Sequence, residues 1–407
     1  MLPGGGRRKR GLLAWIPWRG LLLLALLVTA VRVFFCTVLR VPTGSMEPTL
    51  RGDPTRGDEL LVFKPYYRMF RPARFDLVVF RRSGSDVKSE ERVAVKRVVA
   101  LGGESVRVQG GDLFVAAPGE PERRLAKEYR DFRGLLIPLW REPFDARTPE
   151  RLFSRDDSRT LHDAEGITLA GEPDDGSGVI LELASDAVRF DDGWVDARNV
   201  VTPGGTAVKD VLFELELELE HDTLSFVFEF TSGGDHLSFT LTPRAANHLL
   251  SFVRESVESG TQFPTSTNCR RITTGRRHRL EFWQIDGRVG FAVDGRVEFD
   301  EPLPGGVRVV TRGTDVRGVS LSVAHGGARL TRFDVWRDLY HDDAADGQET
   351  RFGVAEPYEV PHGECFVLGD ASSRSIDSRH FGSVRLDDIA GAPLLVVGPR
   401  SRWRWLR

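Results

Sequence analysis

Cysteine is scarce in this chain: three occur in 407 residues, at Cys36, Cys269 and Cys365. Their number and spacing exclude a disulfide framework and a cysteine-built zinc site, and a Cys269–Cys365 bond has no support from spacing. The nine histidines form no H-x-x-x-H or similar pair, so no metal and no cofactor is indicated. A net charge of only −3 lacks the basic excess of a nucleic-acid-binding protein. What the chain does have is length, with room for two or three domains and a substantial core.

One long apolar stretch stands near the N-terminus. Arg7, Arg8, Lys9 and Arg10 precede it, Trp15 and Trp18 lie at its near end, and it runs on to Leu39 across Arg32. Roughly 20 apolar residues span a bilayer, so 20–39 reads as a single transmembrane anchor if Arg32 snorkels or faces protein. The basic cluster, 1–19, then lies on the cytoplasmic side and everything after the anchor outside. The competing reading is a cleaved secretory signal with Val28-Thr-Ala30 at its cleavage site; the apolar pattern that resumes after Arg32 favours the uncleaved anchor.

Directly beyond comes Val41-Pro-Thr-Gly-Ser-Met-Glu-Pro-Thr-Leu50. Pro42 and Pro48 stiffen an extended, turn-rich path and hold Ser45 on it. By itself this is an ordinary turn serine. From Glu59 the pattern changes to short strands: Glu59–Phe63, Phe75–Phe80, Val93–Val99 and Ser105–Val108. Lys96 falls in the middle of the third, where an unpaired lysine is out of place unless it snorkels to solvent. Held instead in an apolar setting, such an amine gives up its proton more readily and can serve as a base.

Many short strands follow between Gly178 and Trp336. Val211–Leu219 alternates for most of its length, and Asp286-Gly287 and Asp294-Gly295 are hairpin turn signals. They predict an antiparallel β-sandwich or jelly roll. Near the end, Glu364–Leu368 reads as a strand running into the polar stretch Gly369–Gly382. The last residues mix arginine with Trp403 and Trp405, as a lipid-interface segment or a plain exposed tail would.

Four of these stretches, in order, resemble the characteristic boxes of type I signal peptidases. Ser-Met-Glu-Pro-Thr-Leu at 45–50 is similar to the nucleophile box, and Arg74–Phe80 to the strand that follows it. Lys96-Arg-Val-Val-Ala-Leu-Gly-Gly-Glu104 is similar to the lysine box, and Gly369-Asp370 with Ser375-Ile-Asp-Ser-Arg379 to the last box. The chain departs from the family at Ala100-Leu-Gly-Gly-Glu104, where Gly-Leu-Pro-Gly-Asp is usual, and at Ala371, where Asn is usual. The resemblance implies a Ser–Lys dyad, with Ser45 as nucleophile and Lys96 as general base. It implies an oxyanion hole from the Thr43 hydroxyl and the Ser45 N–H, and Ser375 orienting the lysine. Asp377 and Arg379 would pair to brace the loop, with Met46, Gly369, Asp370 and Ser378 in support.

The expected fold is therefore mainly β: a signal-peptidase-type catalytic domain after one N-terminal helix, interrupted by an inserted antiparallel sandwich. The expected boundaries are 40–145 and 346–407 for the catalytic domain and 146–345 for the insertion, which resembles a concanavalin-like jelly roll. The implied partners are preprotein signal peptides and membrane lipid, with a glycan or protein as ligand of the insertion. The implied location is the bacterial-type cytoplasmic membrane, with the catalytic domain outside. Two rivals remain open at this point. One is an anchored β-sandwich binding protein with a degenerate peptidase part; the other is a secreted hydrolase working through the sandwich.

Overall fold

The computed structural model describes residues 18–30, 34–82, 93–143, 152–153, 160–163, 166–171, 179–184, 187–195, 200–243, 249–269, 272–303, 316–343 and 349–406. The protein is mainly β, as its alternating runs predict. It falls into two compact units, one of Met1–Gly102, Val360–Gly369 and Gly382–Arg407, the other of Gly103–Glu359 and Asp370–Phe381.

Helix α1 (Trp18–Ala30) carries the apolar run, and Leu21, Leu22, Leu23, Leu24 and Leu26 are all exposed on it. No described helix is long and apolar enough to cross a membrane. The helix expected over 20–39 is not one continuous element, because Cys36–Arg40 forms strand β1, paired residue by residue with β2 (Glu59–Phe63). Thr37 and Val38 are β-branched and suit that pleated setting. The basic cluster at 7–10, Trp15 and Arg32 lie outside the described residues.

The first unit is one antiparallel sheet that interleaves distant parts of the chain. Its order is β1, β2, the strand Ile389–Gly398, β3 (Leu77–Arg81), β4 (Val93–Leu101), then Glu364–Leu368 and Val384–Arg385. β3 starts two residues later than its sequence suggests, since Phe75 sits at φ 69°, a left-handed value that a strand residue cannot hold. One face of this sheet buries Val41, Met46, Leu50, Leu60, Val62, Leu77, Val79, Val95 and Val396 as a single apolar cluster.

The second unit holds the sandwich. An eight-stranded antiparallel sheet, with Val211–Leu219 and Gly326–Arg337 at its centre, faces a six-stranded one built around Ser225–Ser232 and Asp235–Thr242. Alternation makes the core: Phe213 and Phe282 of the first sheet meet Phe228 of the second at ring-centroid distances of 5.1 and 4.6 Å. Burying a phenylalanine ring of this kind contributes about 1.5–3 kcal/mol. Both predicted hairpin turns form, with Asp286, Gly287, Asp294 and Gly295 all at positive φ, as a two-residue turn of this twist requires. Ile137–Pro143, ahead of the expected insertion, adds to the eight-stranded sheet beside Gly326–Arg337. A separate small sheet carries Ser105–Gln109 and Asp112–Ala116. All three cysteines are free thiols.

Candidate active site

Beyond β1 the chain turns at Thr43, extended at φ −127° and ψ 152°, into a single 3-10 turn, Gly44–Met46. Met46 and Leu50 are fully buried in the apolar cluster and pin the turn, while Ser45, just before Met46, is half-buried. The turn closes through the Glu47 N–H to the Gly44 carbonyl at 3.0 Å and the Leu50 N–H to the Met46 carbonyl at 2.8 Å. Thr43 Oγ1 lies 3.4 Å from Ser45 Oγ, so two hydroxyls stand together at the exposed rim of the turn.

Two glycines unnoticed in the sequence let the loop close. A Cβ on Gly52 would lie 1.8 Å from the Thr43 carbonyl oxygen, and one on Gly57 would lie 2.2 Å from that of Val41. Gly52 also donates its N–H to Glu47 Oε1 at 3.4 Å. Close backbone approach of this kind is what glycine alone permits.

Lys96 lies inside β4 with 3 % of its surface exposed, opposite the fully buried Val78 of β3. It does not snorkel. Lys96 and Ser45 belong to the same unit, and their chain neighbours Val95 and Met46 share one apolar cluster. By strand alternation Lys96 itself faces the other side of β4 from Val95, with Val78 and Val98.

The last box is built differently. Gly369, Asp370, Ser375, Asp377, Ser378 and Arg379 are all buried, so the Asp377–Arg379 pair is no surface salt bridge. Arg379 Nε and an NH2 nitrogen donate to the two Asp377 carboxylate oxygens at 2.9 and 2.8 Å. The rest of the guanidinium donates to the Ser372 hydroxyl and carbonyl, both at 2.9 Å, and to the Asp342 carbonyl. Ser372 Oγ in turn accepts the Asp342 N–H at 2.7 Å. A buried ion pair is tolerable only when its remaining donors are satisfied, as they are here.

His341, next to this network, has no sequence signal. Burial, and then the charge of Arg379, pull its pKa down to about 3, so it stays neutral. The arginine- and tryptophan-rich tail is also tied in: Arg402 donates to both oxygens of the buried Asp58, at 2.6 and 3.0 Å, and Arg404 to the Thr49 carbonyl.

The profile described as signal peptidase, peptidase S26, matches residues 13–159 and 324–397, more than half of the chain. This chain belongs to that family. Among curated relatives, the probable signal peptidase I-2 of Synechocystis is 33 % identical over 91 residues, covering 22 % of this chain and 40 % of that protein. The signal peptidase I of Aquifex aeolicus is 35 % identical over 86 residues, covering 21 % of this chain and 30 % of its own. The chain thus spans less than half the length of these relatives. Among solved structures, the laminarinase catalytic domain of Thermotoga maritima aligns over 50 % of this chain and 98 % of its own, at 8 % identity and a TM-score of 0.34. The carbohydrate binding module CBM66 of Bacillus subtilis aligns over 44 % and 92 %, at 12 % identity and a TM-score of 0.28. Neither likeness bears on a ligand of the sandwich.

Proposed function

We propose that the protein is a membrane-anchored signal peptidase I that cleaves exported preproteins after an Ala-x-Ala-like segment. The observation that carries this is the burial of Lys96 within a strand of the same sheet that bears the Ser45 turn. A serine hydroxyl becomes a competent nucleophile only when a base takes its proton, and an ammonium cannot. In this reading Ser45 Oγ attacks the scissile carbonyl carbon and its proton passes to the neutral Lys96 amine. The developing oxyanion is held by the Thr43 hydroxyl and the Ser45 N–H. Collapse breaks the C–N bond, Lys96 returns the proton to the departing amine, and water activated by the same lysine releases the acyl chain. The Asp377–Arg379 pair braces the loop that carries Ser375.

The anchor reading rests on the apolar N-terminal run and on α1, whose exposed leucines suit lipid. Ser45→Ala and Lys96→Ala are each expected to abolish preprotein cleavage in proteoliposomes while the protein still folds, as read from a cooperative thermal unfolding transition. Retained turnover by Ser45→Ala sinks the assignment.

A further inference from the structure

The arginine-rich C-terminal segment reads from sequence as a tail, yet it touches the Ser45 loop in three chemically different ways. Arg402, at the end of the turn Arg400–Arg402, grips Asp58 through two nitrogens, and Asp58 is wholly buried. Arg404 donates to the carbonyl of Thr49, inside the nucleophile box. Leu406 packs against the apolar cluster that holds Met46 and Leu50. The segment is itself fixed, because Arg404 and Trp405 pair with Val396 and Leu395 and the Trp403 indole donates to the Val397 carbonyl at 2.6 Å.

Asp58 is the residue through which the loop is closed. Its carbonyl accepts the Val41 N–H at 2.9 Å, its N–H donates to the Arg51 carbonyl at 2.9 Å, and its carboxylate accepts the Arg51 N–H at 3.0 Å. The two ends of the loop that carries Thr43 and Ser45 thus meet at one residue, Asp58: Val41 at its backbone carbonyl, Arg51 at its backbone and its carboxylate, and Arg402 binds that same carboxylate.

We infer that Arg402 and Arg404 are positioning residues for the nucleophile: a clamp from the extreme C-terminus that sets the Thr43–Ser45 geometry without touching substrate. A fixed guanidinium fork on a buried carboxylate constrains direction as well as distance, which a single ammonium cannot match. Misplacement of reacting groups by about 1 Å costs on the order of 10²-fold in rate. The clamp therefore acts on kcat and leaves KM alone. The inference rests on the reading of Ser45 as nucleophile.

The test compares full-length wild type, Ser45→Ala, Arg402→Ala, Arg402→Lys, Asp58→Asn and Arg400→Ala in proteoliposomes, with kcat, KM and unfolding temperature measured for each. Arg402→Ala and Asp58→Asn are expected to lower kcat by about 10–100-fold with KM within twofold. Arg402→Lys should regain part of the rate, and Arg400→Ala, exposed on the same segment, should match wild type. If Arg402→Ala does not fold, Arg402→Lys and Asp58→Asn decide. A folded Arg402→Ala or Asp58→Asn with wild-type kcat overturns the clamp alone, as does a rate loss equal to the unfolded fraction. Full cleavage by Ser45→Ala, or none by wild type, overturns the peptidase reading and the clamp with it.

Discussion

The Ser45 turn and the Asp377–Arg379 loop are both read from short motifs, yet they are held by opposite means. The turn stands half-open, plugged from beneath by Met46 and Leu50 and closed by backbone contacts that glycine allows. The loop is wholly buried and is held by one guanidinium with every donor engaged. Under the proposed function Ser45 must meet substrate and remain accessible, so its geometry is set by sterics and backbone. A brace has no such need and can use desolvated charge, which is directional and costly to break.

That contrast is broken most severely at Arg379. Arg379→Met leaves Asp377 buried without its counter-charge and should destabilise the protein by about 3–5 kcal/mol, read from denaturant unfolding. A loss under about 1 kcal/mol would place the pair among surface salt bridges after all. Gly52→Ala attacks the other region by sterics. Its Cβ would meet the Thr43 carbonyl oxygen at 1.8 Å, so the Thr43–Gly44 backbone must shift. Preprotein cleavage should fall by about 10²-fold or more, with a smaller effect on stability than that of Arg379→Met. Unaltered kcat in Gly52→Ala would show that the loop closes with slack.

The smallest effect is the pH dependence stored beside the brace. His341 is neutral in the fold, with a pKa near 3 against an ordinary 6.5, so the unfolded chain takes up a proton that the folded chain refuses. Its contribution is complete above pH 6.5 and is lost as pH falls, by about 2 kcal/mol at pH 5. The stability difference between wild type and His341→Gln should therefore narrow by that amount between pH 7.5 and pH 5. Asp338, whose carboxyl burial pushes up to about 6, titrates in the opposite sense but is common to both chains and cancels. A difference that does not change with pH would mean that His341 exchanges protons freely in the fold.

Legibility in the sequence followed the range of the interaction. Val211–Leu219 announced a two-sided strand because alternation is decided residue by residue, and the Asp-Gly pairs announced turns because φ preference is local. Strands at Leu249–Ser256, Gln262–Asn268 and Arg296–Pro302 went unread, the second being an edge strand with a proline and an exposed, hydroxyl-rich pattern. Lys96 stood out as a charge within an apolar run. Gly52, His341 and Arg402 did not stand out, because nothing in their neighbourhoods distinguishes them from ordinary loop residues.

By itself the sequence determined the mainly β character, the turn at Ser45, the misplaced lysine and the four boxes in their order. Only the tertiary structure decided what holds those boxes. The strand Ile389–Gly398 enters the sheet between β2 and β3, which brings Arg402 and Arg404 against the Ser45 loop. Asp370–Phe381 belongs to the unit that holds the sandwich, and Arg379 draws on Asp342 there. Strand order and long-range pairing follow from which apolar faces bury one another, and no local pattern of residues encodes that.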